Sequence, residues 1–168
     1  FETAEIAIHA SLTGHMVFST IHANDAPSTV TRLVSMGTEP FMAASALTLV
    51  AAQRLVRRNC THCLEEYRPT DEVLLAMGIG PDEGVTFVKG AGCAACRGRG
   101  FDGRLAVLER MSLTPELREF VATGVPAGEI RRHALAQGMS TLKANGLERV
   151  RRGETTIEEV LRICASDA

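Results

Sequence analysis

Cys60-Thr-His-Cys63 and Cys93-Ala-Ala-Cys96, two Cys-x-x-Cys pairs separated by 29 residues, organise the reading of this chain. Two residues between thiolates let one backbone turn bring both sulfurs to the same face. Two such knuckles brought together supply the four soft ligands that tetrahedral zinc prefers. Four thiolates leave no open position for water, so the expected zinc is structural. The spacer is longer than that of most zinc ribbons and is expected to carry structure of its own. The alternatives are a pair of disulfides or four reduced, buried thiols; disulfides need an oxidising compartment, of which the sequence gives no sign.

With 168 residues and 45% hydrophobic content, the chain can form one ordinary domain or two small ones around a real core. A formal net charge of -2 and a pI near 6.2 give no general attraction to nucleic acid or to an anionic membrane. Lys89 and Lys143 are the only lysines. The remaining basic side chains are arginines, whose planar fork suits phosphate and carboxylate. The longest apolar run, Phe41 to Ala52, is broken by Ser45 and Thr48 and is too short to cross a bilayer. No signal peptide is visible, and an amphipathic pattern is already under way at Phe1, so the sequence reads as a piece of a longer chain.

Glu2 to Leu12 is helix-favouring and ends at Gly14, and His15 to Ile21 reads as a buried strand delivering Thr20, His22, Asn24 and Asp25 into a turn. Asp25 or Asn24 can cap a helix with Pro27 in its first turn, ending before Gly37. Such helix-strand-helix alternation indicates α/β layering, with chemistry expected at Ser19 to Asp25, beyond the strand's carboxyl end. Pro40 is expected to open a long helix running through Leu55 to arginines 54, 57 and 58. Thr70 caps a short helix over 71–77, strands follow at 85–88 and 104–111, and Thr114-Pro115, Pro126, Ser140 or Thr141, and Thr156-x-x-Glu159 start four short helices. The expected organisation is an α/β piece over 1–58, a zinc-bound element over 59–100, and a short strand with a C-terminal helical bundle over 101–168.

His22, in Ser19-Thr-Ile-His-Ala-Asn-Asp25, could donate to an anionic ligand; by spacing alone it could equally be a turn histidine beside a helix cap. His9, His15, His62 and His133 have no partner pattern, and Cys164 is expected to be a helix residue without a metal role. No Gly-x-x-x-x-Gly-Lys-[Ser/Thr] loop and no acidic strand end for magnesium occurs, so the chain alone is expected neither to hydrolyse ATP nor to bind it tightly. Cys93-x-x-Cys-x-Gly-x-Gly100 is similar to the repeat of the DnaJ-type chaperone zinc domain, but Cys63 is followed by Leu64-Glu65-Glu66 without glycine. A nucleic-acid zinc ribbon is favoured by Arg97, Arg99 and Arg104 and disfavoured by the scarcity of lysine and aromatics.

Several ordered stretches together resemble the C-terminal part of the type II secretion and type IV pilus assembly ATPases, members of the bacterial secretion-ATPase superfamily. Glu2-Thr-Ala4 resembles the segment after that family's acidic strand, and Ser19 to Asp25 its histidine box. Gly37-Thr-Glu-Pro-Phe41 resembles a following signature, and Gln53-Arg-Leu-Val-Arg57 the run before the tetracysteine element. Gly138-Met-Ser-Thr-Leu142 and Gly153-Glu-Thr-Thr-Ile-Glu-Glu-Val160 resemble its closing helices.

The resemblance implies an α/β fold, the second part of a RecA-like ATPase core with an inserted tetracysteine zinc element and a C-terminal helical bundle. It implies a hexameric cytoplasmic ATPase, peripheral at the inner membrane, that uses ATP and Mg2+ to drive pilin or pseudopilin assembly with inner-membrane platform proteins, without nucleic acid or membrane insertion. It makes His22 a γ-phosphate sensor, not a general base. Arg54 becomes a contact near nucleotide or a neighbouring subunit, and Cys60, Cys63, Cys93 and Cys96 the zinc ligands. Retraction ATPases of the superfamily lack the tetracysteine element, which favours an assembly or secretion motor. The reading from another class is a stand-alone structural-zinc adaptor that binds protein or nucleic acid.

Overall fold

A computed structural model, described over residues 2–80 and 84–165, divides the chain into two compact units, Phe1–Ala52 with Glu109–Ser140 and Gln53–Leu108 with Thr141–Ala168. The elements are α1 (Glu2–Leu12), α2 (Ala26–Ser35), α3 (Pro40–Ala46), β1 (Leu49–Asn59), β2 (Leu64–Tyr67) and α4 (Asp71–Met77), then β3 (Phe87–Gly90), β4 (Phe101–Ser112), α5 (Pro115–Ala122), α6 (Ala127–Ala136), α7 (Leu142–Arg151) and α8 (Ile157–Ala165). β1 pairs with β4 and β2 with β3, and both β1 and β4 contribute residues to each unit. Among the described residues no helix is long and apolar enough to cross a membrane.

In the first unit, helix starts are set locally. Asp25 Oδ1 accepts the Ser28 N–H at 2.7 Å with Pro27 in the first turn of α2, and Thr114 Oγ1 accepts the Leu117 N–H ahead of Pro115 in α5. Both caps satisfy amides that the helix itself leaves unpaired. Leu117 with Val121 on α5 and Ile130 with Ala134 on α6, each pair one turn apart, pack with Val30, Val50, Met111 and Leu113 into one core. Arg118 ties α5 to the end of α3, donating to the carbonyls of Leu113 at 2.9 Å and Ser45 at 3.0 Å.

The second unit is built on two apolar clusters. Leu74, Met77, Ile79 and Phe87 meet Val150, Ile157 and Val160, while Val56 and Val107 meet Leu142 and Ile163. Thr70 and Thr141 cap α4 and α7 as their sequences lead one to expect, and Gly78 ends α4 in the left-handed conformation. Cys164 lies on α8, packed beside both clusters.

Two expected elements are different in the structure. The helix expected from Pro40 to Leu55 stops at Ala46, and from Leu49 the chain is a strand in which Val50, Ala52 and Val56 are buried while Leu49, Ala51, Gln53 and Leu55 are exposed. An alanine-rich apolar run suits either period; pairing with β4, together with the bond from the Leu113 N–H to the Thr48 carbonyl at 2.9 Å, decides for the strand. The buried strand expected over His15 to Ile21 is an irregular, largely exposed segment, with Met16 83% and Phe18 90% accessible. Strand structure needs a neighbour to exchange hydrogen bonds with, and among the described residues none pairs with this segment.

Glu159 departs from its expected role as well. Thr156 Oγ1 does accept the Glu159 N–H, at 3.4 Å, but the carboxylate does not complete a capping box. It accepts instead from the Arg57 backbone N–H at 2.9 Å, the Arg57 guanidinium at 2.8 Å and Arg162 at 3.1 Å, with its side chain only 4% exposed. Burial pushes this carboxyl upward, but the bonds from Arg57 and Arg162 outweigh that and hold it at about 2 against an ordinary 4.5. A carboxyl depressed by folding stabilises the fold fully above its unfolded value and loses that contribution as pH falls from 4.5 toward 2. Glu159→Gln is therefore expected to cost on the order of 2–3 kcal/mol at neutral pH. It should also flatten the fall in stability between about pH 5 and 3, as measured by urea unfolding across that range.

Candidate functional site

β2 runs antiparallel to β3 in a register that sets Leu64 opposite Gly90 and Tyr67 opposite Phe87. That register carries Cys63, one residue before β2, to the start of the second knuckle, where the Ala91 N–H donates to the Cys63 carbonyl at 2.8 Å. On the other side the Cys60 N–H donates to the Gly100 carbonyl at 2.9 Å. The four sulfurs of Cys60, Cys63, Cys93 and Cys96 consequently lie within 4.8 Å of one another. Separations are 3.9 Å for Cys60–Cys93, 3.9 Å for Cys63–Cys96 and 3.8 Å for Cys93–Cys96. A tetrahedron of sulfurs about 2.3 Å from a central zinc has edges of about 3.8 Å. A disulfide would need about 2.05 Å, and all four cysteines are free thiols. The donor set fits a tetrathiolate metal ion.

Backbone amides point at these sulfurs: Gly92 N–H at Cys63 (3.3 Å), and Cys93 N–H (3.1 Å) and Gly100 N–H (3.3 Å) at Cys96. The Cys93 amide is the main reason the Cys96 thiol is pulled down to about 6, with Gly100 adding to it against burial. Desolvation pushes Cys63 up to about 12 despite the Gly92 amide. The backbones on either side of the second knuckle pass too close for a side chain: a Cβ on Gly90 would lie 2.0 Å from the Gly100 carbonyl oxygen. Arg97, immediately after the second knuckle, has φ 56, a left-handed conformation that glycine or asparagine adopts more readily. Gly90→Ala is expected to destabilise the chain by ~3 kcal/mol or more in urea unfolding. Gly128→Ala, whose Cβ meets nothing within 4 Å, is the control and should be neutral or slightly stabilising.

His22 lies in the first unit, exposed, three residues before the cap of α2. Arg54 lies on β1 in the second unit, half-buried, with one guanidinium nitrogen on the Gln53 carbonyl at 3.3 Å. His62 is exposed beside Cys63. Sequence reading missed the charges just behind His22. Glu109, 1% exposed, accepts the Ala26 N–H at 2.9 Å, and Arg131 pairs with Asp25 and stands 3.9 Å from Glu109. The only available signal was a lone glutamate within the apolar β4 stretch, and nothing near it in sequence names its partners.

The family described as Type II/IV secretion system protein matches residues 1–162. The type IV pilus assembly ATPase PilB of Myxococcus xanthus is 45% identical over 170 residues, covering 99% of this chain and 30% of that protein. PilB of Thermus thermophilus is 46% identical, over 95% of this chain and 18% of that protein, and the type II secretion system protein HxcR of Pseudomonas aeruginosa is 44% identical, over 96% and 31%. The chain thus spans about a third or less of the length of these relatives. Among solved structures, the ATPase DotB of Legionella pneumophila is similar in fold, with a TM-score of 0.64 and 18% identity over 98% of this chain and 36% of that one.

Proposed function

Since the chain belongs to the Type II/IV secretion system protein family, we propose that it is the C-terminal portion of a motor ATPase that powers pilin or pseudopilin assembly. The observation that carries this reading is the family match over nearly the whole chain, together with relatives named as pilus assembly ATPases and type II secretion proteins. In that reading the whole protein is a cytoplasmic hexamer working against inner-membrane platform proteins, with ATP and Mg2+ held chiefly by residues outside this chain. Residues 1–58 belong to the ATPase core, 59–100 form the zinc-binding element, and 101–168 the strand and closing helices.

Cys60, Cys63, Cys93 and Cys96 are the proposed ligands of one structural zinc, supported by sulfur spacings that match a tetrathiolate and by amides that stabilise thiolate charge. When bound, such an ion supplies a cross-link, not chemistry. It is expected at one zinc per chain in a reduced sample. Cys63→Ser should lower both zinc content and melting temperature, because structural zinc contributes about 10–16 kcal/mol of apparent binding energy in small domains. A Cys63→Ser protein that keeps its zinc and its melting temperature refutes the assignment.

His22 is the proposed γ-phosphate sensor. What supports this reading is its exposed position in a polar turn, three residues ahead of the Asp25 cap of α2, with an imidazole able to donate to an anion. A donor facing the γ-phosphate interacts strongly while that charge is present and loses its partner on hydrolysis, so the turn it belongs to follows nucleotide state. Arg54 is proposed as a second contact, to nucleotide or to a neighbouring subunit. His22→Ala in the full-length hexamer is expected to lower ATP turnover several-fold or more and to impair assembly in cells, with zinc content unchanged. Wild-type turnover would return His22 to a turn residue.

A further inference from the structure

The first turn of α2 is gripped by two carboxylates that share one guanidinium. Asp25 uses Oδ1 for the Ser28 N–H at 2.7 Å and takes a hydrogen bond from Arg131 on Oδ2. Glu109 reaches the same turn from the end of β4, accepting the Ala26 N–H at 2.9 Å through Oε1, while Oε2 stands 3.9 Å from the second guanidinium nitrogen of Arg131. The side chains of Glu109 and Asp25 are 2% and 13% exposed, so both charges depend on their partners. An N-cap needs one acceptor, and Asp25 already supplies it. The added carboxylate and the arginine, 83 and 106 positions away in sequence, are more than capping requires.

These groups belong to one unit, and they act on the residues that directly follow His22. A guanidinium presents donors in a rigid fork, so one arginine can hold two carboxylates in fixed relation where a point charge cannot. Moving the turn after His22 would separate Asp25 from Arg131 and expose the buried Glu109 charge. We propose that Arg131 is a positioning residue for the histidine-box turn: through Asp25 and Glu109 it fixes that turn to α6, so that His22 meets its anion from a set position and α6 shifts with the turn when the anion leaves. This rests on the reading of His22 as the γ-phosphate contact.

The test is a double-mutant cycle in the full-length hexamer, measuring kcat and KM for ATP in Arg131→Gln, His22→Ala and the double variant, with Arg132→Gln as a control on the same helix. Arg131→Gln is expected to lower kcat about tenfold with KM changed by less than about twofold, because it misplaces a contact made on the way to the transition state. In the His22→Ala background it should add nothing, since residues acting through one another are non-additive. Wild-type kcat in Arg131→Gln, or a double variant slowed by the full product of the two effects, overturns the proposal while leaving the His22 reading intact. Wild-type turnover in His22→Ala overturns that reading and this inference with it. If Arg131→Gln fails to assemble, Arg131→Lys carries the same cycle. Lysine keeps the charge without the fork and is expected to lower kcat about threefold, again with no further effect once His22 is gone; multiplicative effects there overturn the proposal equally.

Discussion

Buried backbone groups must find partners, and at the end of β1 that requirement ties most of the second unit together. Within the four residues Arg57 to Cys60, the Arg57 N–H goes to Glu159 and its carbonyl accepts from the Thr155 hydroxyl at 2.7 Å. The Asn59 N–H goes to the Glu154 carbonyl at 2.9 Å, its amide donates to the carbonyls of Val88 and Gly153 at 3.0 Å each, and the Cys60 N–H goes to Gly100. β3, the turn between α7 and α8, and the second knuckle are thereby all referred to one short stretch of chain. The geometry of the sulfurs is a downstream result: Cys60 is placed by this hub and Cys63 by the β2–β3 register.

What was legible in the sequence is what is decided locally. Asp25, Thr70, Thr114 and Thr141 each cap a helix from within three residues, and the paired spacing of the cysteines encodes each knuckle separately. Pro40 to Ala46 is helical as expected, but Leu49 to Leu55 is a strand, because its alanine, valine and leucine residues satisfy a helical and an alternating pattern alike; β4, more than forty residues on, makes the choice. His15 to Ile21 has strand composition without a described strand to pair with. The partners of Glu109, Glu159 and Arg131 were hidden for a related reason: a charged residue looks solvent-bound or locally bonded until its partner, 83 to 106 positions away, is known.

Both units place a buried glutamate where its charge is taken up by a backbone N–H and an arginine. Glu109 does so at the start of α2 and Glu159 at the start of α8 with Arg57. Arg57 also lies over the Phe101 ring, 4.1 Å from its centroid, so the same side chain joins β1 to β4 by its face and to α8 by its edge. Arginine is suited to this double use and lysine is not, which gives a physical reason for arginine at these particular positions.

The exposed segment after α1 bears on how the polypeptide behaves at the bench. Met16, Val17 and Phe18 are successive exposed residues of an irregular segment that, among the described residues, no strand pairs with, and Leu12, earlier in the chain, is also 46% accessible. A stretch of that kind is adhesive, since a second copy can supply both the ladder and the apolar cover. Concentrated solutions of the isolated 168 residues would therefore be governed by self-association through this strip, and a soluble preparation would come from blunting it with a charge at Phe18 and leaving the well-packed helices alone.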